Sequence, residues 1–205
     1  MQQRRAILTL VRHGETSANV EGVWHGSIDS PLTARGLEQA ERVAGYLLEA
    51  AHDAVALYSS PLRRARCTAE LIGDALGLEL CIEADLREYE LGSWEGKSYS
   101  ELHHQHRLWE QIRRDPDFAA HGGESPRQVT TRFGQVLRSI ADAHPGQRVI
   151  VVAHGGALSL VLAELLYGDY TRWKRVVDNC AVSELVMDPE PALLSFNHTD
   201  HLEGI

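Results

Sequence analysis

Two strings in this chain deliver a histidine, followed by glycine, at the end of an apolar run: Val11-Arg12-His13-Gly14-Glu15-Thr16 and Val152-Ala153-His154-Gly155-Gly156. A lone histidine is more often structural, but here the setting points to chemistry. A neutral imidazole is a competent nucleophile toward phosphorus, and near pH 7 an ordinary histidine is largely neutral. Arg12, directly before His13, supplies a fixed positive charge whose planar guanidinium can grip phosphate oxygens in pairs. His154 offers a second imidazole to hold the equatorial oxygens of a transferring phosphoryl group, and Gly155 and Gly156 let backbone N–H groups come close. The pair reads as two imidazoles facing one anion pocket.

Two further clusters fit the same chemistry. Ser59-Ser60-Pro61-Leu62-Arg63-Arg64-Ala65-Arg66 leaves a strand and enters a helix, whose N-terminus already favours an anion. One of the three arginines could point back at the pocket, while the others form a solvated face; spacing alone does not choose which. Leu86-Arg87-Glu88-Tyr89-Glu90-Leu91-Gly92-Ser93-Trp94-Glu95-Gly96 carries three carboxylates. A leaving oxygen needs a proton, and a partly shielded carboxyl can supply one. Glu88, Glu90 and Glu95 all qualify by type, and at least two of them read as ordinary loop carboxylates.

The elements that must position these residues alternate between strand and helix. Ala6–Val11, Ala54–Tyr58, Leu80–Ile82 and Arg148–Ala153 read as strands, the last buried on both faces. Thr33 caps a helix carrying Leu37, Ala40, Val43, Ala44, Leu47 and Leu48 at helical spacing. Leu62–Leu76, closed by Gly77, Pro126–Ala143 and Ala157–Leu166 are the other main helices, and Ala181–Met187 with Leu193–Phe196 makes a terminal hairpin. Tyr99–Arg114 reads as one mostly polar helix inside a less regular stretch. The pattern predicts an α/β fold, a three-layer sandwich with a largely parallel central sheet flanked by helices. Residues 1–205 are expected to form a single domain, with an excursion over the pocket at about 86–125.

Bulk properties narrow the class. The 205 residues are 43% hydrophobic and 24% charged, ordinary values for a globular protein. Twenty basic against 29 acidic residues give a net charge of −9. That balance argues against a nucleic-acid partner and against anionic membrane surfaces, so any bound phosphate needs a local arginine cluster. Cys67, Cys81 and Cys180 follow no CxxC pattern and read as free thiols in a reducing compartment. No leader or spanning segment is read, and a cytoplasmic enzyme is the simplest expectation.

The string Leu10-Val11-Arg12-His13-Gly14-Glu15-Thr16, with Asn19 beyond it, resembles the signature of the histidine phosphatase superfamily, in the branch that contains cofactor-dependent phosphoglycerate mutases. The match recurs in order through Asp29-Ser30-Pro31-Leu32-Thr33-Ala34-Arg35-Gly36, Ser60-Pro61-Leu62-Arg63-Arg64-Ala65, Leu86-Arg87-Glu88, Gly92-Ser93-Trp94-Glu95-Gly96, Gly122-Gly123-Glu124-Ser125 and Ala153-His154-Gly155. Asn197 with His201-Leu202 resembles the closing segment. A single Arg-His-Gly is common by chance; ordered blocks at the family's spacing are not.

The resemblance implies a phosphoglycerate mutase-like fold and assigns roles. His13 matches the nucleophile that becomes phosphohistidine, Arg12, Arg64 and His154 match the phosphate pocket, and Glu88 matches the proton donor. Asn19 and Gly26 match secondary phosphate contacts. Gly155 belongs to the same phosphate-binding set. Many phosphatases of this branch carry glutamine where this chain has His25; that residue either contacts the phosphate or leaving group or only shapes the entrance.

The implied activity is metal-independent hydrolysis of a small phosphorylated metabolite, with no cofactor, closer to broad-specificity or α-ribazole-type phosphatases than to the glycolytic mutase. A mutase and a non-catalytic phospho-ligand binder are the alternatives. His103, His104 and His106 could be read as metal ligands but sit on a polar helical stretch. Leu102, Trp109, Phe118 and His121 are candidate lid residues. The oligomeric state is open, and a homodimer would be unsurprising.

Overall fold

The computed structural model describes residues 5–173, 176–187 and 190–205. Six strands form one sheet: β1 (Ile7–Arg12), β2 (Ala54–Ser59), β3 (Leu80–Ile82), β4 (Arg148–Ala153), β5 (Val182–Val186) and β6 (Ala192–His198), in the order β3-β2-β4-β1-β5-β6. The first four in that order run parallel; β5 is antiparallel to β1, and β6 to β5. The architecture is an α/β fold with a largely parallel central sheet, in agreement with the sequence pattern.

The main helices are α2 (Ala34–Ala50), α3 (Arg63–Leu76), α6 (Pro126–Ala143) and α7 (Gly155–Tyr167); α1 (Ser17–Glu21), α4 (Tyr99–His104) and α5 (Leu108–Arg114) are short. Strand side chains alternate between faces, and the packing follows that alternation. Val11, Ile150 and Val152 pack with Ala40, Val43 and Leu47 of α2 and Ala65, Ala69 and Ile72 of α3. Leu8, Leu10, Val149 and Val151 pack with Val129, Phe133 and Leu137 of α6 and Leu158 and Val161 of α7. These side chains are sealed from water, and burying each aliphatic one stabilises the fold by about 1.5–3 kcal/mol.

Helix ends are specified locally. Thr33 accepts from the Gly36 N–H to open α2, and Ser125 and Gln128 form a reciprocal capping box at α6, with Pro126 in its first turn. Gly77, at φ +68°, ends α3 in the left-handed conformation.

The chain leaves β1 for α2 on one face and leaves β4 for α7 on the other. These two strands are hydrogen-bonded neighbours, with Arg12 opposite Ala153. The crevice beyond their C-terminal ends is therefore the topological switch point, where open α/β sheets bind ligands.

The stretch read as one helix over Tyr99–Arg114 is two. It breaks between His104 and Leu108, where Arg107 adopts φ +49°. The reason is burial: Leu102 and Leu108 are both fully enclosed. Six residues along a continuous helix would point them about 120° apart. Residues 86–125 are not separate from the core. Leu86, Tyr89, Leu91, Leu102, Leu108 and Ile112 join the same cluster as α6 and α7. Short α1 carried no clear signal in the sequence, and β6 runs longer than the Leu193–Phe196 expected.

Candidate active site

His13 follows the last residue of β1 and His154 the last residue of β4. The strand pairing sets them side by side: the His13 N–H donates to the Ala153 carbonyl at 3.0 Å, and the ring centroids lie 5.1 Å apart. His13 Nδ1 is 2.7 Å from the Gly14 carbonyl. A carbonyl only accepts, so Nδ1 carries the proton and Nε2 presents its lone pair. Burial, then the charges of Arg64 and Arg12, push the His13 pKa well below the usual histidine value. The ring is therefore neutral and available as a nucleophile at neutral pH.

His154 is fully buried beside His13, against which its ring packs. Its Nε2 lies 2.7 Å from Ser60 Oγ, beyond the end of β2. That hydroxyl oxygen accepts from the Leu62 N–H and can give its own proton to Nε2. In that arrangement Nδ1 of His154 carries the ring proton, and Nδ1 has no hydrogen-bond partner among the described residues. Burial first, then Arg64, His13 and Arg12, hold this histidine neutral as well.

Two guanidinium groups flank His13. Arg64, in the first turn of α3, is 3% exposed and donates to the carbonyls of Ile28 and Gly26 at 3.0 and 2.7 Å. Among the three arginines of that turn, only this one points inward: Arg63 is exposed and Arg66 pairs with Glu70 on the surface. Arg12 donates to the Val177 carbonyl at 2.6 Å, and its Nε is buried without a partner among the described residues. A Cβ on Gly155 would stand 2.9 Å from that Nε, so glycine lets the guanidinium lie against the start of α7. Burial lowers both guanidinium pKa values from their usual range; an arginine nonetheless stays charged.

Glu88 reaches the same cavity. Its carboxylate accepts from the backbone N–H groups of Tyr89 at 2.8 Å, Gly156 at 3.0 Å and Ala157 at 2.6 Å, the last two at the start of α7. Glu95 does something else. It accepts from the N–H and hydroxyl of Ser27, both at 2.8 Å, and from the Leu91 N–H at 3.3 Å, tying the 24–27 loop in place.

The cavity has a volume of about 460 Å³. Arg12, His13, Asn19, His25, Gly26, Arg64 and Glu88 all line it. Asn19 Oδ1 accepts from the Thr16 N–H, the Thr16 hydroxyl and Asn179, leaving its amide NH₂ for a ligand. His25 Nδ1 is buried without a partner among the described residues, and burial, then Arg64, lowers its pKa.

Of the candidate lid residues, Trp109 lines the cavity and the others do not. Leu102 belongs to the core, and Phe118 and His121 pack on Trp94, with centroids at 6.1 and 5.0 Å. His103 and His104 are exposed, and His106 packs on Trp94 and faces Glu101 at 3.4 Å. Among the described residues, no group of three or more His, Cys, Asp or Glu is arranged to hold a metal ion.

Two contributors escaped the sequence reading. Ser60 was visible as part of a strand-tip string, but its contact to His154 depends on strand order. Asn179, which donates to the His13 carbonyl at 2.9 Å and lines the cavity, lies in a stretch with no motif.

Residues 8–199 match the histidine phosphatase superfamily (branch 1), and the chain belongs to that family. The uncharacterized phosphatase PhoE of Bacillus subtilis is 32% identical over 196 residues, covering 95% of this chain and 96% of that protein. A protein of Cronobacter sakazakii described as probable phosphoglycerate mutase GpmB is 32% identical over 191 residues, covering 91% and 87%. The solved structure of a phosphoserine phosphatase from Entamoeba histolytica, in complex with 3-phosphoglyceric acid, superposes with a TM-score of 0.86 at 28% identity, covering 96% of this chain and 99% of that one. The fold is thus phosphoglycerate mutase-like and the protein is a phosphatase-type enzyme of this superfamily. No helix among the described residues is long and apolar enough to cross a membrane.

Proposed function

We propose that the protein hydrolyses a small phosphorylated metabolite through a phosphohistidine on His13. The observation that carries the reading is the hydrogen bond from His13 Nδ1 to the Gly14 carbonyl, which leaves Nε2 unprotonated between Arg12 and Arg64. In the first step Nε2 attacks phosphorus, the bond to the ester oxygen breaks, and Glu88 delivers a proton to that oxygen. Arg12, Arg64, the Nδ1–H of His154 and the amide of Asn19 neutralise the phosphoryl oxygens, with Gly26 and His25 at the rim. Gly155 contributes by admitting the Arg12 guanidinium. In the second step a water oxygen attacks phosphorus, Glu88 takes its proton, and the N–P bond breaks.

Tyr99 and Val176 line the cavity and are 38% and 37% exposed, so water has a path to the phosphohistidine. Similarity to proteins described as mutases keeps phosphoryl transfer as the second reading. Residues 1–205 act here as one domain with 86–125 forming the cover. A cytoplasmic setting is part of this reading, supported by the free thiols of Cys67, Cys81 and Cys180.

The test uses a ³²P-labelled phosphomonoester in metal-free buffer. Acid-labile label on His13 together with released orthophosphate supports the proposal. Rapid conversion of 3-phosphoglycerate plus 2,3-bisphosphoglycerate to 2-phosphoglycerate, without free phosphate, would establish the mutase instead.

A further inference from the structure

The cavity has two chemically different ends. The phosphate end holds Arg12 and Arg64, the two guanidinium groups among the described residues that line it. The other end is aromatic. Trp24 meets Trp109 at 5.9 Å between centroids and Tyr99 at 6.0 Å, and Trp109 meets Trp173 at 5.7 Å. All four rings line the cavity, and behind them the wall continues into apolar packing through Ile112 and Leu160.

Glu88 joins the two ends. A Cβ placed on Gly156 would meet Trp24 Cη2 at 2.8 Å and Glu88 Oε1 at 2.9 Å, so the carboxylate and the indole edge flank the same small volume. An ester oxygen receiving its proton at Glu88 must send its carbon substituent past that edge and onto the tryptophan wall. At the aromatic end the Trp24 N–H donates to the Tyr89 carbonyl at 3.1 Å, and the Asn179 amide donates to the His13 carbonyl and to Asn19; the Trp173 Nε1–H is left without a partner among the described residues. A leaving group rich in hydroxyls would replace only a small part of its hydrogen bonds to water against these rings. A flat apolar ring would gain stacking and edge-to-face contacts.

Resting on the phosphohistidine reading above, we propose that the preferred substrate is a phosphomonoester whose leaving alcohol carries an aromatic ring, seated against Trp24 and Trp109. The volume is sufficient, since pockets for ligands of this size run about 300–1,000 Å³.

The test compares kcat/KM for benzyl phosphate, ethyl phosphate, glucose 6-phosphate and 3-phosphoglycerate, all alkyl esters. Benzyl phosphate leads the other three by about ten-fold or more, the factor given by roughly 1.4 kcal/mol of ring contact. Trp109→Ala removes most of that lead by slowing benzyl phosphate more than ethyl phosphate, and Trp109→Phe, which keeps a ring and the fold, preserves it. A preference for glucose 6-phosphate or 3-phosphoglycerate overturns the proposal, as does an equal loss on benzyl and ethyl phosphate in Trp109→Ala. If no ester releases phosphate and His13 takes no label, the hydrolase reading itself has failed, and the substrate proposal falls with it.

Discussion

Ser60 Oγ and His154 Nε2 stand 2.7 Å apart across the ends of two neighbouring strands, while the other nitrogen of the same ring is buried with no partner among the described residues. A serine that donates to Nε2 places the ring proton of His154 on Nδ1, the arrangement in which that ring can donate to a phosphoryl oxygen. Ser60→Ala is expected to lower kcat by about ten- to hundred-fold, the range for leaving a buried polar group without its partner. Ser60→Thr, which keeps the hydroxyl, should recover much of the rate. Nitrogen NMR of labelled histidine gives an independent readout: Ser60→Ala should show a mixture of His154 tautomers, and a single unchanged tautomer would remove the role.

The two active-site histidines have unequal work. His13→Ala should eliminate the trapped phosphoenzyme and lower kcat on the order of 10³-fold or more. His154→Asn should slow label incorporation yet still accumulate phosphoenzyme on His13. Rapid-quench labelling separates the two. Phosphoenzyme surviving in His13→Ala would mean that another residue is the nucleophile.

Both histidines are held neutral by burial and by neighbouring arginines, with pKa values well below the ordinary one. The unfolded chain gains protons there near pH 6.5, before the folded protein does. The stability they contribute is thus fully present above that pH and declines as pH falls from there toward the depressed folded-state values. Each adds a slope of up to about 1.4 kcal/mol per pH unit. Urea unfolding between pH 5 and 7 should show stability falling with acid, with a shallower slope in His154→Asn. Saturating orthophosphate should flatten it further, because the bound anion favours protonated imidazole.

Arg132, on α6, braces the segment that carries Glu88. It pairs with Glu124 through two nitrogens at 2.7 Å and donates to the carbonyls of Asp85, Arg87 and Glu88 at 2.7, 2.9 and 2.9 Å. Both side chains are about nine-tenths enclosed, at 10% and 12% exposed. Arg132→Met should cost about 3–5 kcal/mol, because it removes the donor to three carbonyls and one of the two arginines paired with Glu124. The folded fraction should also lose kcat most on esters with poor leaving groups, which depend on the proton from Glu88. Chemical denaturation and a leaving-group series measure the two effects separately.

The sheet was legible because its strands carry their own signals. Val149 to Val152 form a β-branched run buried on both faces, and Thr33, Ser125 and Gly77 punctuate helices by local hydrogen bonds and backbone freedom alone. The residues around the cavity were legible as types at strand and helix ends. What escaped was tertiary. The break at Arg107 is driven by burying Leu102 and Leu108 together, and nothing in His104-Gln105-His106-Arg107 announces a turn. Phe118 and His121 looked like lid residues by their position in a loop, yet Trp94 takes them into its own packing. The selection of Arg64 over Arg63 and Arg66 depends on helix phase at the cavity, and Ser60 reaches His154 only because β2 and β4 are neighbours.

The strand pair β1–β4 has one more consequence. His13 and His154 directly follow the two central strands, each of which is locked by backbone hydrogen bonds on both sides. Amides there should exchange with solvent only when the whole molecule unfolds. Trp109, by contrast, rides on the short helix α5, outside that framework. The two catalytic histidines sit at the tips of central strands, and Trp109, which would discriminate among alcohols, sits on a short helix whose Leu108 and Ile112 are buried in the core. Such a division permits the range of accepted esters to drift by changes in one small helix while the bond-breaking apparatus is inherited intact.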